Sequence, residues 1–600
     1  MKHETSRFVP ILVAIGVVCG ILVGSFFASH NAPGRLSIIK SGSNKVNDLF
    51  HLIDDEYVDS VDIQELVEKS MPQILRQLDP HSVYVPAKDV ELAMQDLQGH
   101  FSGIGVQFTI YNDTVRIIRI IRGGPSESVG LKAGDRIVAI DGSPFVGEKV
   151  TNEETMKHLK GEKGSLVKLS VMRTGSKAPL TFSIVRGDVP VKSISSAYML
   201  NDSTGYIRIN SFGETTYPEF LASLAMLGRQ QLGALVIDLR GNLGGYMDPA
   251  VQIANEFLPK DRLIVYTEGR RSPRQNYRSD GRGSYQTLPL VLLVDETSAS
   301  ASEILSGAIQ DNDRGTIVGR RTFGKGLVQV PIQFDDGSML RLTKARYYTP
   351  SGRCVQKPYT PGDEDDYEAD LLLRATGGEY YSADSIKTSG QEYKTTLGRT
   401  VYGGGGIIPD VFVARDTTHM TSYFKEAYMR GLIFQFAFAF SDDHRESLTR
   451  LGSIDEVVKY INRHNLPEEF AVFAERAGLK RRNLLLQQSA NLFHEHITSN
   501  VINDILDDDA ATQYVNQTDP AVLTALDIVQ RGATFPKAGG MDNIKKTSLL
   551  QKPDYLAFTY DRVVLFTRVF NSQIDLVPIR PIHYTFAICP SRKRVHYANA

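Results

Sequence analysis

The sequence predicts a multidomain α+β protein: an N-terminal membrane anchor and helices, a β-rich module, an α/β core and a helical C-terminal domain. Three observations carry this reading. Residues 8–28, FVPILVAIGVVCGILVGSFFA, form an uncharged run of the length that crosses a bilayer core as a helix. Residues 130–142, GLKAGDRIVAIDG, place a short apolar strand between a Gly-Asp and an Asp-Gly turn, the pattern of a compact β-rich module. Farther along, ALVIDL at 234–239 and LVLLV at 290–294 are continuous apolar runs that empty into small-residue loops opening helices. Strands buried on both faces read this way, and their functional groups sit where strand passes into helix.

The elements follow in order. The 600 residues carry a formal net charge of -2, which gives no electrostatic case for nucleic acid or an acidic partner. Cys19, Cys354 and Cys589 are too scattered for a metal site or a disulfide framework, and no cofactor is expected. Lys2 and Arg7 precede the apolar run, and residues 1–30 are assigned to an anchor or signal segment, with an uncleaved anchor preferred on length. Residues 31–100 form an N-terminal helical region: Val46, Leu49, Phe50 and Ile53 share one helical face, and Leu66, Met71, Ile74 and Leu75 another. Asp79-Pro80-His81-Ser82 ends the run with a turn.

Residues 101–190 change to short strands and turns. With its Gly130 to Gly142 segment and the loop Gly103-Ile104-Gly105-Val106, this stretch resembles a PDZ domain. The resemblance implies that the loop receives a peptide carboxylate on backbone N–H groups while the peptide adds a strand to a sheet edge.

Residues 191–415 form the α/β core. Here SASASEIL, 298–305, offers three serines. Ser300 with Glu303 fits a capping box, a purely structural role. The same place suits a nucleophile, since helix-terminal N–H groups stabilise negative charge. A serine hydroxyl needs a base, and no histidine lies between Leu159 and Thr418. A lysine serves if burial disfavours its charged form, and TFGKG at 322–326 offers Lys325. Lys325 has two further readings at this point: a surface lysine on a glycine turn, and part of a phosphate loop. GRRTFGKG at 319–326 nearly matches G-x-x-x-x-G-K-[ST], but Gly326 lacks the required hydroxyl and LVQV at 327–330 reads as strand rather than helix.

Taken together, LDPHS at 78–82, the PDZ-like module, DLRGNLGG at 238–245, Ser298 to Glu303, TFGKG with Gln329, and GGGGIIPD at 403–410 resemble the C-terminal processing peptidases, also called tail-specific proteases. These are serine endopeptidases with a Ser-Lys dyad, and the resemblance spans roughly residues 40 to 415. It implies that Ser300 is the nucleophile, Lys325 the general base and Gln329 the group that orients the lysine, with Ser298 and Ser302 as bystanders. It also implies capture of an apolar substrate tail by the PDZ-like module, and a place in the cell envelope with the catalytic domains outside the cytoplasm. On an extended strand positions i and i+4 share a face, so Lys325 and Gln329 are expected to point to one site. The backbone N–H groups of Gly245 and Ala301 are the expected oxyanion donors.

Residues 358–400, with the acidic run DEDDYEAD at 363–370, read as an insertion or long surface loop. Residues 416–545 read as a helical domain, and residues 546–600 as an unassigned extension. LIFQFAFAF at 432–440 is too short for a second membrane span and reads as core or as a contact with a second copy. A homo-oligomer is expected on that run alone, and an adaptor is an expected partner that no residue singles out. Two alternatives stand beside the peptidase: a noncatalytic PDZ-type envelope scaffold and a phosphate-loop nucleotidase.

Overall fold

A continuously apolar strand needs cover on both faces, and the central sheet has it. The computed structural model describes residues 45–111, 113–147, 150–388 and 391–537. The apolar run at 8–28 and the extension at 546–600 lie outside the described residues. No described helix is long and apolar enough to cross a membrane. The chain divides into two units, residues 1–74 and 75–600. In the first, helix Lys45–Glu56 buries no residue and leaves Val46 and Leu49 exposed.

In the second unit, six strands line up in chain order: Ile194–Met199, Thr204–Ile209, Ala234–Asp238, Leu290–Val294, Thr316–Gly319 and Val411–Phe412. The first pair is antiparallel and the rest are parallel. Helices Thr216–Gly228, Met247–Phe257 and Ala301–Asp311 lie within the connections between successive parallel strands. Side chains alternate between two cores, as a period of two requires. Leu235, Ile237, Leu290, Leu292 and Val294 pack with these helices. Val236, Val291, Leu293 and Val318 pack instead against Ala521, Val522, Ala525 and Ile528 of helix Pro520–Gln530. The last described helix therefore covers the second face, and Asp519 at its N-cap pairs with Arg240 at 2.8 Å.

A second, largely antiparallel sheet centres on strand Met339–Tyr348, which pairs with Val83–Val85, Leu263–Gly269 and Leu327–Gln333. The PDZ-like module has the sheet order Val106–Tyr111, Thr114–Ile120, Arg136–Ile140, Leu166–Met172, Leu180–Val185, which leaves Val106–Tyr111 at an edge. Arg116 and Arg136 of this module reach Asp442 at 3.5 and 3.2 Å, and Arg119 reaches Asp508 at 3.2 Å. Asp442 lies in the last turn of helix Leu432–Asp443, in which Leu432, Ile433, Phe436, Ala437 and Phe440 join the core of the helical domain.

The acidic run at 363–370 is not simply a solvated loop. Asp363 caps helix Glu364–Thr376 by accepting from Asp366 N–H at 3.1 Å, and Glu364, Asp365 and Asp366 occupy its first turn, where the helix dipole favours anions. The helix buries Tyr367 and Arg374, and Arg374 donates to the carbonyls of Arg321 and Thr322 at 2.7 and 3.0 Å. The insertion thus braces the loop that carries Lys325.

Candidate active site

Strand Leu290–Val294 runs into Asp295, whose carboxylate accepts from Thr297 N–H at 3.0 Å and turns the chain toward helix Ala301–Asp311. The three serines then have different fates. Ser298 is fully buried and donates to the Leu239 carbonyl at 2.8 Å; Ser302 is fully buried and donates to the Asn242 carbonyl at 3.0 Å. Ser300 alone keeps part of its surface. Its backbone sits at φ 55°, ψ -112°, a region that costs a residue with a side chain about 1–3 kcal/mol. Glu303 supplies its half of the capping box, accepting from Ser300 N–H at 2.9 Å. An N-cap hydroxyl acts as an acceptor, so capping uses a lone pair and leaves the hydroxyl proton to a base.

Lys325 follows Gly324, whose φ of 93° only glycine adopts without strain. Its Nζ donates to Gln329 Oε1 at 3.0 Å, and Gln329 Nε2 donates to the His81 carbonyl. The turn at 79–82 is itself held by Asp79, which accepts from the N–H groups of His81 and Ser82 at 2.9 Å each and from the Ser82 hydroxyl at 2.7 Å. The expectation of a shared strand face was incomplete. A regular strand separates i and i+4 by about 13 Å. Here strand Leu327–Gln333 begins only after Lys325 and shifts register between Val328 and Gln329, and that irregularity accompanies the contact.

Burial pushes the Lys325 ammonium down to about 8, and Arg341 adds repulsion that Asp79 and Glu303 partly offset. His81 sits beside the same site, its ring 6.4 Å from Phe323 and its Nε2 2.8 Å from the Tyr367 hydroxyl. A histidine is therefore brought in from before the core. Burial, with the charges of Lys325 and Lys357, holds it down to about 3, too weak to compete as a base.

Glu303 is fully buried and joins the two loops. Its Oε2 accepts from the N–H groups of Ser300 and Lys325 at 2.9 and 2.8 Å, and its Oε1 accepts from the Thr322 hydroxyl at 2.6 Å and Gly324 N–H at 2.8 Å. Burial raises its carboxyl to about 7 against these hydrogen bonds. The motif at 403–410 is structural support: Ile407 N–H donates to the Thr322 hydroxyl at 2.6 Å, and Asp410 accepts from Ile317 N–H at 2.8 Å.

The loop at 240–245 packs onto Ser300. A Cβ on Gly244 would lie 2.6 Å from Ser300 Cβ and 3.0 Å from Ala301 N. Gly245 bridges Phe212, but the bonds are made by its neighbours: Phe212 N–H to the Gly244 carbonyl at 2.9 Å, and Tyr246 N–H to the Phe212 carbonyl at 2.7 Å. Among the described residues, neither the Gly245 N–H nor the Ala301 N–H has a hydrogen-bond acceptor. The structure thus gathers Ser300, Ala301, Gly245, Lys325 and Gln329 into one region. Gly103, Ile104, Gly105 and Val106 belong to the separate PDZ-like module, where the loop leads straight into the edge strand Val106–Tyr111. Gly105 takes φ 78°, and Gly103 bridges Lys160 at the end of helix Asn152–Leu159. The residues around the site that sequence reasoning missed are His81, Arg341 and Tyr367; His81 lay inside a motif already singled out, and Tyr367 inside the acidic run at 363–370.

A PDZ-bearing serine-type endopeptidase is the class this fold and site define. Residues 203–368 match Peptidase family S41, residues 102–184 match the PDZ domain, and residues 423–507 match a family of unknown function, DUF8443. A carboxy-terminal-processing protease of Bartonella bacilliformis is 35% identical over 318 residues, 52% of this chain and 72% of that protein. Carboxy-terminal processing protease CtpA of Bacillus subtilis is 30% identical over 392 residues, 64% of this chain and 83% of that protein. A solved photosystem II D1 C-terminal processing protease is 27% identical with a TM-score of 0.30, over 53% of this chain and 91% of that one. The chain belongs to the carboxy-terminal-processing protease family.

Proposed function

We propose that this endopeptidase captures the apolar C-terminal tail of a protein substrate on its PDZ domain and cleaves the chain with Ser300 as nucleophile and Lys325 as base. The observation that carries the reading is the environment of Lys325: a buried amine, pushed down to about 8, hydrogen-bonded to Gln329, and tied through Glu303 to the backbone of Ser300. Ser300 Oγ attacks the scissile carbonyl while neutral Lys325 takes its proton, and the oxyanion lies between the N–H groups of Gly245 and Ala301. As the C–N bond breaks, the Lys325 ammonium returns the proton to the leaving amine. Water then attacks the ester, giving its proton to Lys325; as the acyl–Oγ bond breaks, the Lys325 ammonium passes that proton to Ser300 Oγ, which restores both the hydroxyl and the neutral amine. Gln329 holds the amine toward the serine throughout.

The tail adds to the free edge of strand Val106–Tyr111, with its carboxylate at Gly103–Val106. We read residues 8–28 as an anchor that leaves the catalytic domains outside the cytoplasm. The test uses the full-length chain in detergent, an unfolded reporter ending in an apolar free carboxylate, and intact mass to follow the fragments. Fragments formed by the wild type and absent with Ser300→Ala and Lys325→Ala support the dyad. Turnover retained by either variant refutes it, and tail binding without cleavage favours the noncatalytic scaffold.

A further inference from the structure

Resting on the Ser300 and Lys325 reading, we infer that Tyr347 is a positioning residue that, opposite Glu303, clamps the nucleophile and the base at a fixed separation. Two groups serve the backbone of both residues. On the amide side, Glu303 Oε2 accepts from Ser300 N–H at 2.9 Å and Lys325 N–H at 2.8 Å. On the carbonyl side, the Tyr347 hydroxyl donates to the Lys325 carbonyl at 2.7 Å and lies 3.1 Å from the Ser300 carbonyl. One hydroxyl proton is shared by two acceptors, a three-centre bond weighted toward the shorter contact. The nucleophile and the base are thus each held by both their backbone N–H and their backbone carbonyl, though they lie 25 positions apart in sequence.

Three features make this more than a satisfied core tyrosine. Tyr347 is buried to 1% exposure, so water does not substitute for its hydroxyl. Its own N–H pairs with the Gly326 carbonyl at 3.0 Å, which fixes the strand Met339–Tyr348 directly beside the lysine loop. Its second acceptor belongs to Ser300, whose ψ of -112° sets where that carbonyl points. A donor on the carbonyl therefore supports the strained turn that presents the hydroxyl. Burial also keeps the phenol well above its ordinary titration range, so it remains a donor wherever the enzyme is folded.

Catalysis is steep in geometry: misplacing a reacting group by 1 Å costs about 100-fold. Tyr347→Phe keeps the ring in the core and removes only the donor. In the full-length protein, with the apolar-tailed reporter, it is expected to lower kcat by about 10- to 100-fold while KM stays within about twofold, because the PDZ edge is untouched. Ser300 labelling by a fluorophosphonate falls in parallel. Replacing Tyr347 with 4-aminophenylalanine, which restores an N–H donor at the same place, recovers most of the lost kcat. A folded Tyr347→Phe protein with kcat within twofold of wild type, or with its loss confined to KM, overturns the clamp. If Tyr347→Phe does not fold, the 4-aminophenylalanine protein decides alone: active supports the clamp, and folded but inactive overturns it. Ser300→Ala and Lys325→Ala run alongside. Turnover in either of those defeats the dyad, whereas loss in both with normal Tyr347→Phe defeats only the clamp.

Discussion

The rate at neutral pH is expected to be limited by how much of Lys325 is neutral, and that fraction follows from its surroundings. A lysine held at about 8 is unprotonated in roughly one molecule in ten at pH 7; one at its ordinary 10.5 is unprotonated in about one in three thousand. Burial and Arg341 together therefore enlarge the population of competent base by roughly 300-fold at pH 7. With saturating reporter, log kcat is expected to climb with a slope near one below pH 8 and to level off above about pH 9, a rise of about tenfold from pH 7. Protonation of Glu303, at about 7, steepens the acid side. The perturbation that isolates the lysine is Arg341→Met. Removing the neighbouring positive charge makes the ammonium easier to form, so the midpoint moves to higher pH and kcat at pH 7 falls while the alkaline plateau stays. Steady-state kcat from pH 6 to 10, with circular dichroism to confirm folding, makes the measurement. A wild-type profile flat from pH 6 to 9, or a midpoint that Arg341→Met shifts toward acid, would refute a buried lysine base.

Four other outcomes follow from the same structure. Lys325 binds fewer protons folded than unfolded between pH 8 and 10.5, so its charge opposes folding at neutral pH and that opposition fades as pH rises through this window. Lys325→Met should therefore be inactive yet melt a few degrees higher at pH 7, with the gain gone above about pH 11; thermal melts across pH check both. At φ 55° a glycine is less strained than any residue with a Cβ, so Ser300→Gly and Ser300→Ala should both be inactive, with the glycine variant the more stable by about 1 kcal/mol in denaturant titration. Gly244→Ala would place a Cβ 2.8 Å from the Ala299 carbonyl and 2.6 Å from Ser300 Cβ, and should abolish fluorophosphonate labelling of Ser300. Asp442→Ala removes a nearly buried carboxylate shared by Arg116 and Arg136, and should destabilise the contact between the PDZ and helical domains by about 3 kcal/mol, read as faster hydrogen exchange in strands Thr114–Ile120 and Arg136–Ile140.

Much of the architecture was legible because it is local. The runs ALVIDL and LVLLV named their strands, and the loops after them named the place where a serine could be presented. The choice of Ser300 among three serines came from a resemblance; the structure supplies a physical reason, since Ser298 and Ser302 spend their hydroxyls on the carbonyls of Leu239 and Asn242. In sequence the acidic run at 363–370 reads as part of an insertion or long surface loop, because a charge run and a charged helix N-terminus look alike. What separates them is Tyr367 and Arg374, which face the core only once the helix is docked. The pairing of Lys325 with Gln329 follows from the resemblance; the shared strand face offered beside it is a reason that a regular strand, with about 13 Å between i and i+4, does not satisfy.

The sequence by itself determined what is written at short range: the continuously apolar strands, the strand-to-helix turn at Ser300, the β-rich module with its Gly-x-Gly loop, and the family motifs. Tertiary structure alone decided how basic Lys325 is, which histidine lies beside it, that helix Pro520–Gln530 covers the central sheet, and that Glu303 and Tyr347 hold serine and lysine together. The physical reason is separation along the chain. Desolvation and a shared hydrogen bond depend on groups brought together from dozens or hundreds of residues away, and such meetings leave no period in the sequence.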